Sequence, residues 1–196
     1  MMDNLIAILR GIRPNEVLAV TEVLIECDIR SIEVTMNSPE PLTSIELMTK
    51  EFGQQATIGA GTVTKITEVE DVASAGGKFI VSPNCNEAII RHTKALQLGS
   101  YPGVFTATEC FSALSAGADA LKVFPASLIG PQGIKELKAV LPMSTALFAV
   151  GGISFENINI WKDAGVFGYG IGSSLYKPGK SINDIRTSAL QLKQII

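Results

Sequence analysis

Asp119-Ala-Leu-Lys-Val-Phe-Pro125 is a short run of strand-like residues, mostly apolar and closed by a proline. Side chains alternate along a strand, so Leu121 and Val123 share one face while Ala120, Lys122 and Phe124 share the other. With both faces largely apolar, the run suits a strand that is covered on both sides, and Lys122 then points into a poorly hydrated interior. Burial of an ammonium is costly, and the usual relief is a lowered pKa and a neutral amine. A neutral, desolvated amine is the nucleophile that attacks carbonyl carbons in Schiff-base chemistry. The plainer alternative is a strand-end lysine that snorkels to solvent or pairs with a carboxylate.

The same pattern recurs in both directions along the chain. Strand-like runs fall at Leu5–Leu9, Ser31–Thr35, Thr57–Ala60, Lys78–Ser82, near Ser100-Tyr101, at the Lys122 run, at Ala146–Val150 and at Gly168–Ile171. Helical stretches separate them. Pro14 opens the first, reaching about Cys27, and Ser38-Pro-Glu40 announces the second. A third follows Thr64 with acids at Glu68, Glu70 and Asp71. Asn86, and Thr106 or Thr108, start the next two. One runs around Gln132–Val140, Ser154 caps a helix containing Trp161, and Ser181 caps the last. Eight strand–helix units with near-continuous apolar strands predict an α/β fold, a (β/α)8 TIM barrel formed as one domain over residues 1–196. A doubly wound open sheet would show fewer strands and a glycine-rich turn after the first, and none follows Leu9.

Composition narrows the function. The 196 residues are 46% hydrophobic and 18% charged, with a net charge of −3, and the sixteen basic residues form no run. That disfavours nucleic-acid binding through a basic face. No stretch approaches a membrane span and no secretory leader opens the sequence, so a cytoplasmic protein is expected. Cys27, Cys85 and Cys110 are odd in number and widely spaced, which fits neither a disulfide framework nor a zinc site. His92 is the single histidine, so a metal centre with several imidazole ligands is excluded, although an oxygen-ligated magnesium site is not. No cofactor is expected.

In such barrels the active site sits at the C-terminal ends of the strands. Lys122 is near the end of the sixth expected strand. Glu33 shares a face with Ser31 and Thr35 on the second, so both would point toward a common centre. A carboxylate on an apolar strand needs a partner or a task, and the plainer reading is an ion pair with Lys122 or Arg10. Phosphate binding commonly falls to the loops after the seventh and eighth strands, here Gly151-Gly152-Ile-Ser154 and Gly172-Ser173-Ser174. Glycines admit a ligand close to the backbone, and the N–H groups of a helix start attract anions. Gly59-Ala-Gly-Thr62 lacks the third glycine of a dinucleotide fingerprint. An inward lysine, an inward carboxylate and an anion site suggest imine chemistry on a phosphorylated carbonyl compound. A phosphate-binding barrel isomerase or synthase, or a non-catalytic sugar-phosphate binding protein, would share the glycine loops.

Ile8-Leu-Arg-Gly-Ile12, Ile32-Glu-Val-Thr35, Gly59-Ala-Gly-Thr-Val63, Val81-Ser-Pro-Asn84, Pro102-Gly103, Ala107-Thr-Glu109, Leu121-Lys-Val-Phe-Pro125 and Ala149-Val-Gly-Gly152 together resemble the 2-keto-3-deoxy-6-phosphogluconate aldolase family. The likeness runs in order along nearly the whole chain. It implies a class I aldolase in a (β/α)8 barrel, a homotrimer of carbohydrate metabolism. Its products would be pyruvate and glyceraldehyde 3-phosphate. By position it makes Lys122 the Schiff-base lysine and Glu33 the general acid/base. Arg10 and Thr62 would contact the keto-acid end, and Pro83 and Phe124 would line the pocket. Gly151, Gly152, Gly172 and Ser173 would hold phosphate. Gluconate-type members carry arginine four residues after the glutamate, whereas this chain has Asn37. Asn37-Ser-Pro39 and Gly130-Pro-Gln132 resemble the galactonate-type branch, whose substrate is the C4 epimer, so Asn37 joins the expected substrate contacts. By the same likeness, a counterpart of the family's usual N-terminal helix is not expected before Leu5.

Overall fold

The computed structural model describes residues 3–195. Among these residues, nine parallel strand segments alternate with eight helices. The order is β1 (Leu5–Leu9), α1 (Pro14–Glu26), β2 (Ser31–Thr35), α2 (Pro41–Phe52), β3 (Thr57–Gly61), α3 (Ile66–Ser74), β4 (Phe79–Val81) and α4 (Glu87–Ala95). It continues with β5 (Gly99–Tyr101), β6 (Gly103–Val104), α5 (Ala107–Ser115), β7 (Leu121–Val123), α6 (Ala126–Val140), β8 (Leu147–Val150), α7 (Ile158–Asp163), β9 (Gly168–Ile171) and α8 (Ile182–Ile195).

In space the strands run β5-β4-β3-β2-β1-β9-β8-β7-β6. The two ends are halves of one strand, separated only by Pro102. Proline has no N–H to give to a ladder, so continuous pairing stops there. Gly99–Tyr101 pairs with β4 and Gly103–Val104 with β7, and the Lys122 N–H donates to the Pro102 carbonyl at 2.9 Å. The ninth segment is therefore the fifth expected strand in two pieces, and the (β/α)8 barrel closes across it.

Strand alternation produces two separate cores. Outward residues such as Ile32, Val34, Leu121 and Val123 pack under the helices, while Ile6, Ile8, Phe79, Val81, Ala120, Phe148 and Val150 fill the barrel. Large inward side chains are matched by glycines. A Cβ at Gly59 would come within 2.5 Å of the Phe79 ring, and one at Gly168 within 2.5 Å of Phe148. Tyr101 packs edge-on against Phe79 and Phe148, and Phe167 extends this aromatic group at the N-terminal end of the strands.

Three helix starts follow the sequence reading. Asn86 accepts from the N–H groups of Ala88 and Ile89, Thr106 forms a capping box with Glu109, and Ser181 accepts from Asp184. Three differ. Helix α2 starts at Pro41 with Glu40 at its N-terminus, and Ser38 does not cap it. Helix α6 begins at Ala126 and kinks at Gly130, where φ is 71°, so the expected Gln132–Val140 stretch is its second segment. Ser154 does not cap α7. Asn157 stands at that N-terminus, and its side chain instead accepts from the Ser154 N–H. No described helix is long and apolar enough to cross a membrane.

Candidate active site

A cavity of about 500 Å³ opens at the C-terminal ends of β1, β7, β8 and β9. Lys122 and Phe124 come to it from β7 and the residue beyond, and Arg10 and Gly11 from the end of β1. Gly151 and Gly152 follow β8, and Gly172 and Ser173 follow β9. Among the described residues, no carboxylate lines this cavity.

Lys122 is buried, with its ammonium position 4.7 Å from the centre of the Phe124 ring. Burial pushes its pKa down from the ordinary 10.5. Arg10 acts in the same direction, and Glu33 opposes both. Glu33 is 2% exposed and does not line the large cavity; it borders a second space of about 10 Å³ beneath, shared with Lys122, Tyr101, Phe148 and Val150. That is the size one water occupies. Burial raises the Glu33 pKa, against the lowering influence of Lys122 and then Arg10. Among the described residues, no ion pair within 4.0 Å joins Glu33 to either cation. The structural ion pair weighed from the sequence is therefore not formed, and the two groups face one small interior space as separate titratable sites. Burial draws the carboxyl up and the amine down, so both move toward neutral pH from opposite sides, which is what acid–base work there needs.

Arg10 is held at the rim. Its guanidinium donates to Asn37 Oδ1 at 2.8 Å and to Thr62 Oγ1 at 3.3 Å, so three residues far apart in sequence meet in one cluster. Thr62 sits at φ 60°, a left-handed conformation that a β-branched residue adopts only under constraint from its surroundings. Below the cluster, Ser38 Oγ accepts the Gly11 N–H at 2.9 Å, lies 3.0 Å from Thr35 Oγ1 and reaches the Leu9 carbonyl at 3.4 Å. This junction ties the end of β1, and hence Arg10, to the loop carrying Asn37. Pro83 does not line the cavity; its carbonyl packs against Gly103, where a Cβ would lie 2.3 Å from it.

The glycine loops present free donors. Gly151 and Gly152 sit at φ 94° and 78°, and a Cβ at Gly152 would come within 2.8 Å of Ser127 Cβ, so glycine is required twice over. The Asn157 amide donates to the Gly152 carbonyl at 2.7 Å and holds this loop in shape. After β9, the N–H groups of Leu175 and Tyr176 both turn back to the Gly172 carbonyl. Among the described residues, the N–H groups of Gly152, Ile153, Ser173 and Ser174 donate to no protein acceptor. Unpaired backbone donors on two loops of one cavity are an arrangement able to receive an anion.

Residues 2–187 match the family described as KDPG and KHG aldolase. The chain belongs to this family. It is 48% identical over 178 residues to the 2-dehydro-3-deoxy-6-phosphogalactonate aldolase of Escherichia coli (strain K12), which covers 91% of this chain and 87% of the relative. A solved structure described as native KDPGal superposes with a TM-score of 0.96 at 46% identity, covering 97% of this chain and 93% of the other. The KDPG aldolase of Legionella pneumophila, with pyruvate captured at low pH as a covalent carbinolamine intermediate, gives a TM-score of 0.85 at 26% identity, over 97% and 91% of the two chains. The protein is an aldolase, a carbon–carbon lyase, in the (β/α)8 barrel that its strand pattern predicts.

Several lining residues were not singled out in the sequence. Gly11, Tyr176, Lys177 and Pro178 complete the wall between the β1 and β9 loops. Nothing in strand periodicity could reveal them, since they lie in loops brought together by barrel closure.

Proposed function

We propose that this aldolase works through an imine on Lys122 and that its substrate is the galactonate-type 2-keto-3-deoxy-6-phospho sugar acid. The observation that carries the reading is a buried amine at the floor of a cavity without carboxylates, with a buried carboxyl directly beneath. The carbinolamine described for the Legionella relative supports covalent capture of a keto acid in this family.

Neutral Lys122 Nζ attacks the C2 ketone and forms a carbinolamine, which loses water to give an iminium. Glu33, directly or through one water, accepts the proton of the C4 hydroxyl. The C3–C4 bond breaks, its electron pair flows to the iminium nitrogen, and glyceraldehyde 3-phosphate leaves. The carboxyl group returns its proton to C3 of the enamine, and water hydrolyses the iminium to pyruvate and free lysine. Arg10, held by Asn37 and Thr62, receives the substrate carboxylate. The free N–H groups of Gly152, Ser173 and their neighbours receive the phosphate. The higher identity to galactonate-type than to gluconate-type relatives, together with Asn37 bonded to Arg10, supports the galactonate epimer. A trimeric, cytoplasmic enzyme belongs to the same proposal, and light scattering on the eluted protein tests the assembly.

Pyruvate release from the two C4-epimeric 6-phosphates, run in parallel with borohydride trapping of pyruvate, tests the function. Faster release from the galactonate epimer and loss of trapping in Lys122→Met are expected. Full trapping in that variant would assign the imine elsewhere, and equal rates on both epimers would remove the substrate preference.

A further inference from the structure

We infer that Lys177 is the side-chain cation of the phosphate end, a specificity residue that makes the enzyme favour phosphorylated over unphosphorylated keto acids. The inference rests on the aldolase reading above for its substrate, but not for its anion site. Lys177 lines the same cavity as Gly152, Gly172 and Ser173. Arg10 and Lys122 are the other basic residues in that wall. Arg10 is engaged by Asn37 and Thr62, and Lys122 is desolvated at the floor.

Its backbone is anchored on both sides. Tyr176 is buried and its hydroxyl donates to Glu16 of α1 at 3.1 Å. Pro178 packs on Gly11, where a Cβ would fall 2.9 Å from Pro178 Cγ. The two lysines of this loop differ in how they are used. Lys180 spends its donors on the carbonyls of Ser174 and Leu175 and on Ser188 Oγ, which locks the loop from within. Lys177 forms no ion pair and no side-chain hydrogen bond among the described residues. A fixed backbone with a free ammonium beside unpaired N–H groups matches a phosphate dianion. The backbone supplies directed hydrogen bonds and the lysine supplies the charge that they lack.

Two measurements on Lys177→Gln and Lys177→Arg test this. The first is the ratio of kcat/KM on the 6-phosphorylated keto acid to that on its unphosphorylated counterpart. It should fall about tenfold in the glutamine variant and recover in the arginine variant, as expected for a lost charge-assisted contact. The second is titration of the protein with inorganic phosphate alone, where the glutamine variant should bind about tenfold more weakly. Equal loss on both keto acids, or unchanged inorganic phosphate affinity, would overturn the inference. Should the unmodified enzyme cleave neither keto acid, the reaction assignment falls, and the phosphate titration still decides the role of Lys177.

Discussion

Gly61 leaves the space that the Glu33 carboxyl fills: a Cβ at position 61 would lie 2.2 Å from Glu33 Oε1 and 3.2 Å from Thr35 Cγ2. The register pairs Glu33 with Gly59 and Thr35 with Gly61, so β3 presents two inward glycines beside the acid. Gly61→Ala therefore has to push the carboxyl aside. Misplacement of a reacting group by about 1 Å typically costs about 100-fold in rate, and a loss of that order in kcat is expected with imine trapping retained. Near-normal kcat in a folded variant would show that Glu33 needs no such placement.

The Lys122 amine is held below the ordinary 10.5 chiefly by burial. Imine formation should therefore reach its plateau below the pH at which a free lysine becomes neutral, and a pyruvate-trapping rate that keeps climbing toward 10.5 would contradict this. Stability follows the same linkage. Between the lowered value and 10.5 the folded state binds fewer protons than the unfolded state, so stability rises with pH across that window. In a Glu33→Gln background, Lys122→Met should raise the melting temperature, most at the acid end and not at all by 10.5. Melting curves across that range check the sign.

Ser38 joins the end of β1 to the loop that carries Asn37. Ser38→Ala leaves the Gly11 N–H without its acceptor, for which about 1–3 kcal/mol is expected. A lowered urea midpoint, with a raised KM for the keto acid as Arg10 loosens, is the predicted result. An unchanged midpoint would mean that the chain relaxes around the missing hydroxyl.

Asn157 serves three partners at once: the Gly152 carbonyl, the Ser154 N–H and the Trp161 indole N–H, the last at 3.2 Å. Asn157→Ala should lower stability by about 1–3 kcal/mol and raise KM for the phosphorylated substrate, because the Gly151-Gly152 loop loses its brace. Substrate binding that survives with stability lost would separate the brace from the anion cradle.

The strand and its period were readable without coordinates because side-chain direction along a strand is a local property. Lys122 and Glu33 point inward for the same reason that Leu121 and Ile32 point outward. Glycines after the last two strands were readable because each occupies a turn of its own chain. The caps at Asn86, Thr106 and Ser181 are likewise local hydrogen bonds. Where a competing local signal existed, the sequence misled: Ser154 has the chemistry of a cap, but Asn157 was nearer the helix and took its N–H.

What only the tertiary structure decided is who meets whom across the barrel. The fit of Gly61 to Glu33, the cluster of Arg10, Asn37 and Thr62, and the place of Lys177 beside Gly172 all depend on closure and register. Those are set by the packing of the whole sheet against its helices, a sum of many small contacts that no single segment contains. The sequence determined which side chains enter the barrel. Closure determined that an amine and a set of free N–H groups would line one cavity, with a carboxyl on the small space beneath that the amine also borders.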